Sequence, residues 1–168
     1  MTAAHAFALS GCKKEEPPPP PPPPPPVVQA PRPIDVGSLT MDQRVQFPQE
    51  RAPVDRDLGQ AVADLASALA RGDEIALADR LDPPARATLD MLVESNDWRR
   101  STESIRVVRI ARLDGGDTQA SVGLAIEDDT GAYLTGWRAV RANGRWVFTG
   151  SPVNAAPGVR AADLDGAS

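Results

Sequence analysis

The sequence predicts an α+β domain held behind a proline-rich tether, with helices packed on one face of a four-stranded antiparallel sheet. Three observations predict it. Apolar residues recur at helical spacing from Val54 to about Asn96. After Ser101 the period drops to two, and four apolar runs follow, separated by turns rich in Gly and Asp. Helices first and strands afterwards favour segregated layers over alternating βαβ units. Ahead of both lies an unbroken run of ten prolines, Pro17 to Pro26.

The first helix is marked by Val54, Leu58, Ala61, Val62, Leu65 and Leu69, with Asp55, Asp57, Gln60, Asp64 and Arg71 on the other face. Pro53 stands just outside its start and Gly72 is its stop. Asp73 is the expected N-cap of a short helix from Glu74 to Leu81. Asp82-Pro83-Pro84 is a second start signal, a capping aspartate followed by proline in the first turn. The third helix then carries Ala85, Leu89, Leu92 and Val93 and ends near Asn96.

Ile105 to Leu113 reads as the first strand, and the adjacent Val107-Val108 predicts a bulge or burial on both faces. Asp114-Gly115-Gly116-Asp117 is a turn. Ala120, Val122, Leu124 and Ile126 then alternate with Gln119, Ser121, Gly123 and Ala125, which predicts one buried face. Asp128-Asp129-Thr130-Gly131 turns the chain into a strand from Tyr133 to Arg141. Asn143-Gly144 sits at the centre of a two-residue hairpin leading to a last strand, Trp146 to Thr149.

The tether has its own logic. Each proline fixes φ and removes a donor, so Pro17 to Pro26 is excluded from helix and sheet interiors. Polyproline II rises about 3.1 Å per residue, which makes the run a semi-rigid spacer of roughly 30 Å. A homopolymer carries little side-chain information, so a spacer is favoured over a ligand for an aromatic-lined groove. Pro31, Pro33, Pro48 and Pro53 extend the reading of residues 12–53 as a disordered linker, with a short ordered patch expected around Leu39 to Phe47. Residues 151–168 read as a disordered tail, leaving residues 54–150 as the domain.

Leu9-Ser10-Gly11-Cys12 resembles the lipobox of bacterial lipoproteins: an aliphatic residue, two small residues and the cysteine. The resemblance implies a signal peptide over residues 1–11, a diacylglyceryl group on Cys12, and a mature protein beginning there. It also implies a cell-envelope location facing the periplasm or the exterior, and in a cell with two membranes the outer membrane by default, because Lys13 rather than aspartate follows the cysteine. Two or three acyl chains suffice for stable anchoring, where one is marginal. The lead before Cys12 is short and lacks Lys and Arg, which predicts a true start further upstream.

The order of helices and strands, with Gly136-Trp137 and then Asn143-Gly144-Arg145-Trp146-Val147-Phe148, is similar to the nuclear transport factor 2-like (cystatin-like) fold. That resemblance implies a helical layer against a curved sheet forming a cone, which in related enzymes works with an Asp–His pair or a tyrosine and an acid.

Composition narrows the chemistry. A net charge of −5 and few aromatic residues argue against a nucleic-acid surface. No apolar run reaches the roughly 18 residues of a membrane-spanning helix. The single histidine, His5, lies in the expected signal, and Cys12 is the single cysteine, so no histidine base, disulfide or His/Cys metal site is expected in the domain. Glu127-Asp128-Asp129 lacks the pattern of a calcium loop and reads as a solvated turn.

Tyr133 and Asp97 are the remaining acid or donor candidates; Tyr133 more simply packs at the sheet rim, and at Asp97-Trp98 the simpler reading is that Trp98 closes the core. Trp98, Tyr133, Trp137 and Trp146 are candidate pocket residues, although tryptophans in a small domain usually serve the core. Arg106, Arg109 and Arg112 on one strand, with Arg138 and Arg141 on another, are a candidate anion or partner surface; a solvated face is the simpler reading. The function expected is a non-catalytic, lipid-anchored binding or envelope-accessory module without cofactors. It would take an envelope protein or a small apolar ligand. The alternative is an isomerase or hydrolase using a cone carboxylate or Tyr133.

Overall fold

Helix α1, Arg56–Arg71, is the central post of the domain. Leu58, Val62, Leu65, Ala66 and Leu69 are buried along it, and Asp55 accepts the Asp57 N–H at its N-terminus. Gly72 ends it in the left-handed region at φ 65°, where a Cβ would also meet the Thr102 hydroxyl at 2.7 Å. A computed structural model describes residues 30–167. The lipobox Leu9 to Cys12 and the proline run Pro17 to Pro26 lie outside the described residues.

Two of the remaining helices begin on aspartate caps, as the sequence suggests. Asp73 accepts from Ala76 ahead of α2, Glu74–Arg80, and Asp82 accepts from Ala85 ahead of α3, Pro83–Glu94. A fourth helix, α4, Asp97–Glu103, is additional to the three expected. It is entered through Asn96 at φ 64° and buries Trp98 and Thr102. Polar Arg99, Arg100 and Ser101 mask its short apolar signal.

The sheet is mixed and open, with strands in the order β1-β2-β3-β4-β5. Strands β2, Val107–Gly116, β3, Gln119–Asp128, β4, Gly131–Ala142, and β5, Arg145–Ser151, form the antiparallel meander. The fifth strand is β1, Val45–Gln46, which pairs in parallel with Val108 and Arg109. The class is α+β, and the expectation of four strands is corrected to five. The register break in β2 lies between Ile110 and Arg112, beyond the Val107-Val108 pair where a bulge is expected. Asn143 at φ 51° and Gly144 at φ 77° make the anticipated tight hairpin.

The main core lies between the helices and one sheet face. There Val108, Ile110, Val122, Leu124, Ala139 and Phe148 meet Leu58, Val62, Leu65 and Leu77. A smaller cluster covers part of the opposite face, where Ala111, Ala125, Ala132 and Leu134 meet Ala161 and Leu164. Alanines on that face leave room for the close approach of a backbone.

These contacts correct both domain limits. Residues 31–53 are part of the domain, not linker: Val36, Leu39, Val45 and Phe47 are buried in the main core. Thr40 and Gln60 exchange two hydrogen bonds, and the Ser67 hydroxyl accepts the Asp42 N–H. Their apolar residues are too widely spaced to show a period, because each contributes a single anchor. Val54, assigned to the first helix, instead precedes it and is 53% exposed.

The tail is likewise part of the domain. Gly158 pairs with Ala132, a 3-10 turn spans Ala161–Leu164, and Gly166 N–H donates to the Ala111 carbonyl. Small residues let this segment lie close to the sheet, and the same residues read as disorder when taken alone.

Candidate functional site

The candidate site is an apolar groove of about 420 Å³ between α3 and the edge of the sheet. Its innermost residues are Leu69, Leu77, Leu81 and Leu89, all buried. Pro84, Ala85, Thr88 and Leu92 from α3 form one wall, and Trp98, Trp137, Thr149 and Gly150 line the other. The volume falls within the roughly 300–1,000 Å³ range of small-molecule pockets.

The groove exists because α3 is held mainly at its start. Asp82 caps the helix through its Oδ1, and its Oδ2 accepts the Thr149 hydroxyl from β5. The Asp82 N–H donates to the Phe148 carbonyl, and Leu81 makes a parallel bridge with Phe148. Beyond that anchorage Leu89 is the one fully buried residue of the helix. Leu92 is 40% exposed at the groove mouth, beside Met91 at 62%.

No ionisable side chain lines the groove. Its four side-chain donors are all committed. Trp98 Nε1 donates to the Gly72 carbonyl at 3.0 Å and Trp137 Nε1 to the Thr135 hydroxyl at 3.1 Å. Thr88 donates to the Pro84 carbonyl and Thr149 to Asp82.

Two of the four aromatic candidates, Trp98 and Trp137, therefore meet at the groove, and the other two do not line it. Trp146 is buried in the main core, its indole under the Arg141 guanidinium at 5.8 Å and its Nε1 without a partner. Tyr133 is 37% exposed on β4, and burial together with the Asp128 charge holds its hydroxyl above the ordinary pKa. Asp97 is held below its ordinary value by the Ser95 hydroxyl and then by Arg100, as expected of a solvated helix-start carboxylate. Asp128 is likewise lowered by the Thr130 hydroxyl and N–H, the geometry of a turn. Among the described residues no group of three His, Cys, Asp or Glu is placed to hold a metal ion.

The five arginines are spread over the molecule and do not form one surface. Arg106 pairs with Asp129, Arg112 with Asp114, and Arg109 with Asp165. Arg141 reaches Asp55 and Asp57 at the start of α1. Arg138 lies opposite Ser121 and Thr149 in the register, one residue out of phase with Trp137 and hence on the other sheet face. The register break and the turn partners disperse them, which strand spacing alone does not reveal. Leu77, Leu81, Thr88 and Thr149 are groove residues that nothing in their type or spacing singles out. The signal that could have found them is the junction of α2 and α3 at Asp82.

No family model matches the chain, and no curated protein matches it. Among solved structures, a match is a SEC-C motif containing protein from Rhodopseudomonas palustris, determined in solution. It is 18% identical, covers 57% of this chain and 78% of that one, and has a TM-score of 0.43. The resemblance to bacterial lipoproteins carrying a nuclear transport factor 2-like domain is corrected: no family model and no curated protein of that kind matches, and the solved structure that does is named for a SEC-C motif. The likeness itself is too slight to carry an argument about this chain. No described helix is long and apolar enough to cross a membrane.

Proposed function

We propose that this domain is a non-catalytic binding module whose ligand seats in the groove between α3 and β4–β5. The carrying observation is the groove's composition: buried leucines and two indoles, with no ionisable side chain among them. General acid–base and nucleophilic chemistry need a titratable or activated group within hydrogen-bond reach. At this site the one carboxylate beside the groove, Asp82, does not line it and is already bonded by the Ala85 N–H and the Thr149 hydroxyl, and no observation favours Tyr133 in an isomerase or hydrolase role.

The test uses the full chain and Nile red, a neutral fluorophore whose emission shifts to the blue in apolar surroundings. Binding with a blue shift is expected, and Leu92→Arg at the mouth weakens it at least tenfold, a desolvation penalty of about 1.4 kcal/mol or more. An unshifted emission, or a variant that binds as well as the parent, overturns the reading.

A further inference from the structure

We infer that the groove takes the single aliphatic chain of a neutral lipid, with a hydroxyl or ester end tolerated and a carboxylate refused. The inference rests on the groove being a binding site and names what it selects. Its basis is an inventory of hydrogen-bonding capacity. Trp98, Trp137, Thr88 and Thr149 each donate to a protein acceptor, so no side-chain donor is left for a ligand. An ionised carboxylate is an acceptor only and needs donors or a cation when it leaves water.

Neither is offered. No Lys or Arg lines the groove, and the carboxylate at its β5 end, Asp82, repels a second negative charge. A hydroxyl meets the opposite situation, because the threonine oxygens retain lone pairs that accept from it. The remaining surface is leucine and indole, which favours methylene groups in proportion to the area they bury. Leu92 carries the apolar surface from the groove out to solvent, so a chain can enter there. A partner's side chain such as leucine would leave much of the 420 Å³ empty.

The experiment follows tryptophan fluorescence of the full chain, in a Trp146→Phe background so that Trp98 and Trp137 report, during titration with 1-hexanol, 1-octanol and 1-decanol, and with decanoate at pH 8. Affinity for the alcohols should rise about fourfold per added methylene. Decanoate should bind at least tenfold more weakly than decanol, the cost of an unpaired buried charge. Leu92→Lys, at an exposed rim position, should narrow that gap by raising decanoate affinity, with thermal unfolding followed to confirm an intact fold.

Equal affinity for decanol and decanoate overturns the inference, as does affinity independent of chain length. If Nile red binds while no alcohol does, the inference fails and the binding reading stands. If neither binds, both fall.

Discussion

Arg109 and Asp165 form a two-pronged ion pair, Nε to Oδ1 at 2.8 Å and Nη2 to Oδ2 at 2.6 Å, joining β2 to a residue 56 positions later. The pair fastens the C-terminal segment over the second sheet face. Glu127 assists by accepting the Ala161 N–H at 2.8 Å.

The Asp165 carboxyl is held below its ordinary value by the Arg109 hydrogen bonds, and Arg109 is raised in turn. A lowered carboxylate contributes stability above its unfolded pKa of about 3.9, and that contribution is lost as pH falls through the folded value. The C-terminal segment should therefore stay docked from neutral pH to about 4 and loosen below it. Arg109→Leu should cost about 1 kcal/mol at pH 7 in urea unfolding, because the pair is bidentate but partly exposed. Hydrogen exchange at Gly158 and Gly166 reports the undocking. Unchanged exchange in the variant would refute this role.

Two indoles make a contrasting pair. Trp98→Phe leaves the Gly72 carbonyl without its donor and should cost about 1–3 kcal/mol. Trp146→Phe removes a buried donor that has no partner, so relief of that penalty offsets part of the lost packing. The Trp146 variant should be the milder by about 1 kcal/mol in paired denaturant titrations.

Asp82 joins the α3 cap to β5. Asp82→Ala should destabilise by about 1–2 kcal/mol through the cap alone. Because Thr149 bonds the same carboxylate, Thr149→Val combined with Asp82→Ala should cost less than the sum of the two. Strict additivity in the double-mutant cycle would exclude the coupling.

The domain boundary is testable by truncation. A chain starting at Val54 lacks Val36, Leu39, Val45 and Phe47, all buried in the main core. It should lose several kcal/mol or fail to fold, since each large core truncation costs about 2–5 kcal/mol. A chain starting at Pro31 should unfold at the same urea concentration as the full chain.

Several elements are legible in the residue pattern alone. The helical period of Leu58, Val62, Leu65 and Leu69, the caps Asp73 and Asp82, and the Asn143-Gly144 hairpin all express local rules, and the fold contains each of them. The alternation of β3 is kept in part: Ala120, Val122, Leu124 and Ile126 are buried in the main core, but Ala125, on the face expected to be open, is buried in the second cluster. Residues 31–53 and 151–167 are not legible in this way, because their anchors are single side chains and backbone pairings to distant strands. Neither leaves a period in the sequence.

The candidate site divides in the same way. Trp98 and Trp137 stand out by residue type, but 39 positions separate them in the chain, and nothing local says that they share a wall. Their meeting depends on Asp82 docking α3 against β5, with Leu77 and Leu81 beneath.

By itself, the sequence determined three of the four helices, the meander and the tether composition, because propensity, capping and alternation act over a few residues. Only the tertiary structure decided that β1 joins the sheet in parallel, that the C-terminal segment covers its second face, and that the arginines disperse into separate pairs. The physical reason is that these depend on which surfaces remain to be buried once the helices and strands have formed. The groove is the apolar surface that α3, fastened at Asp82 and fully buried only at Leu89, leaves open.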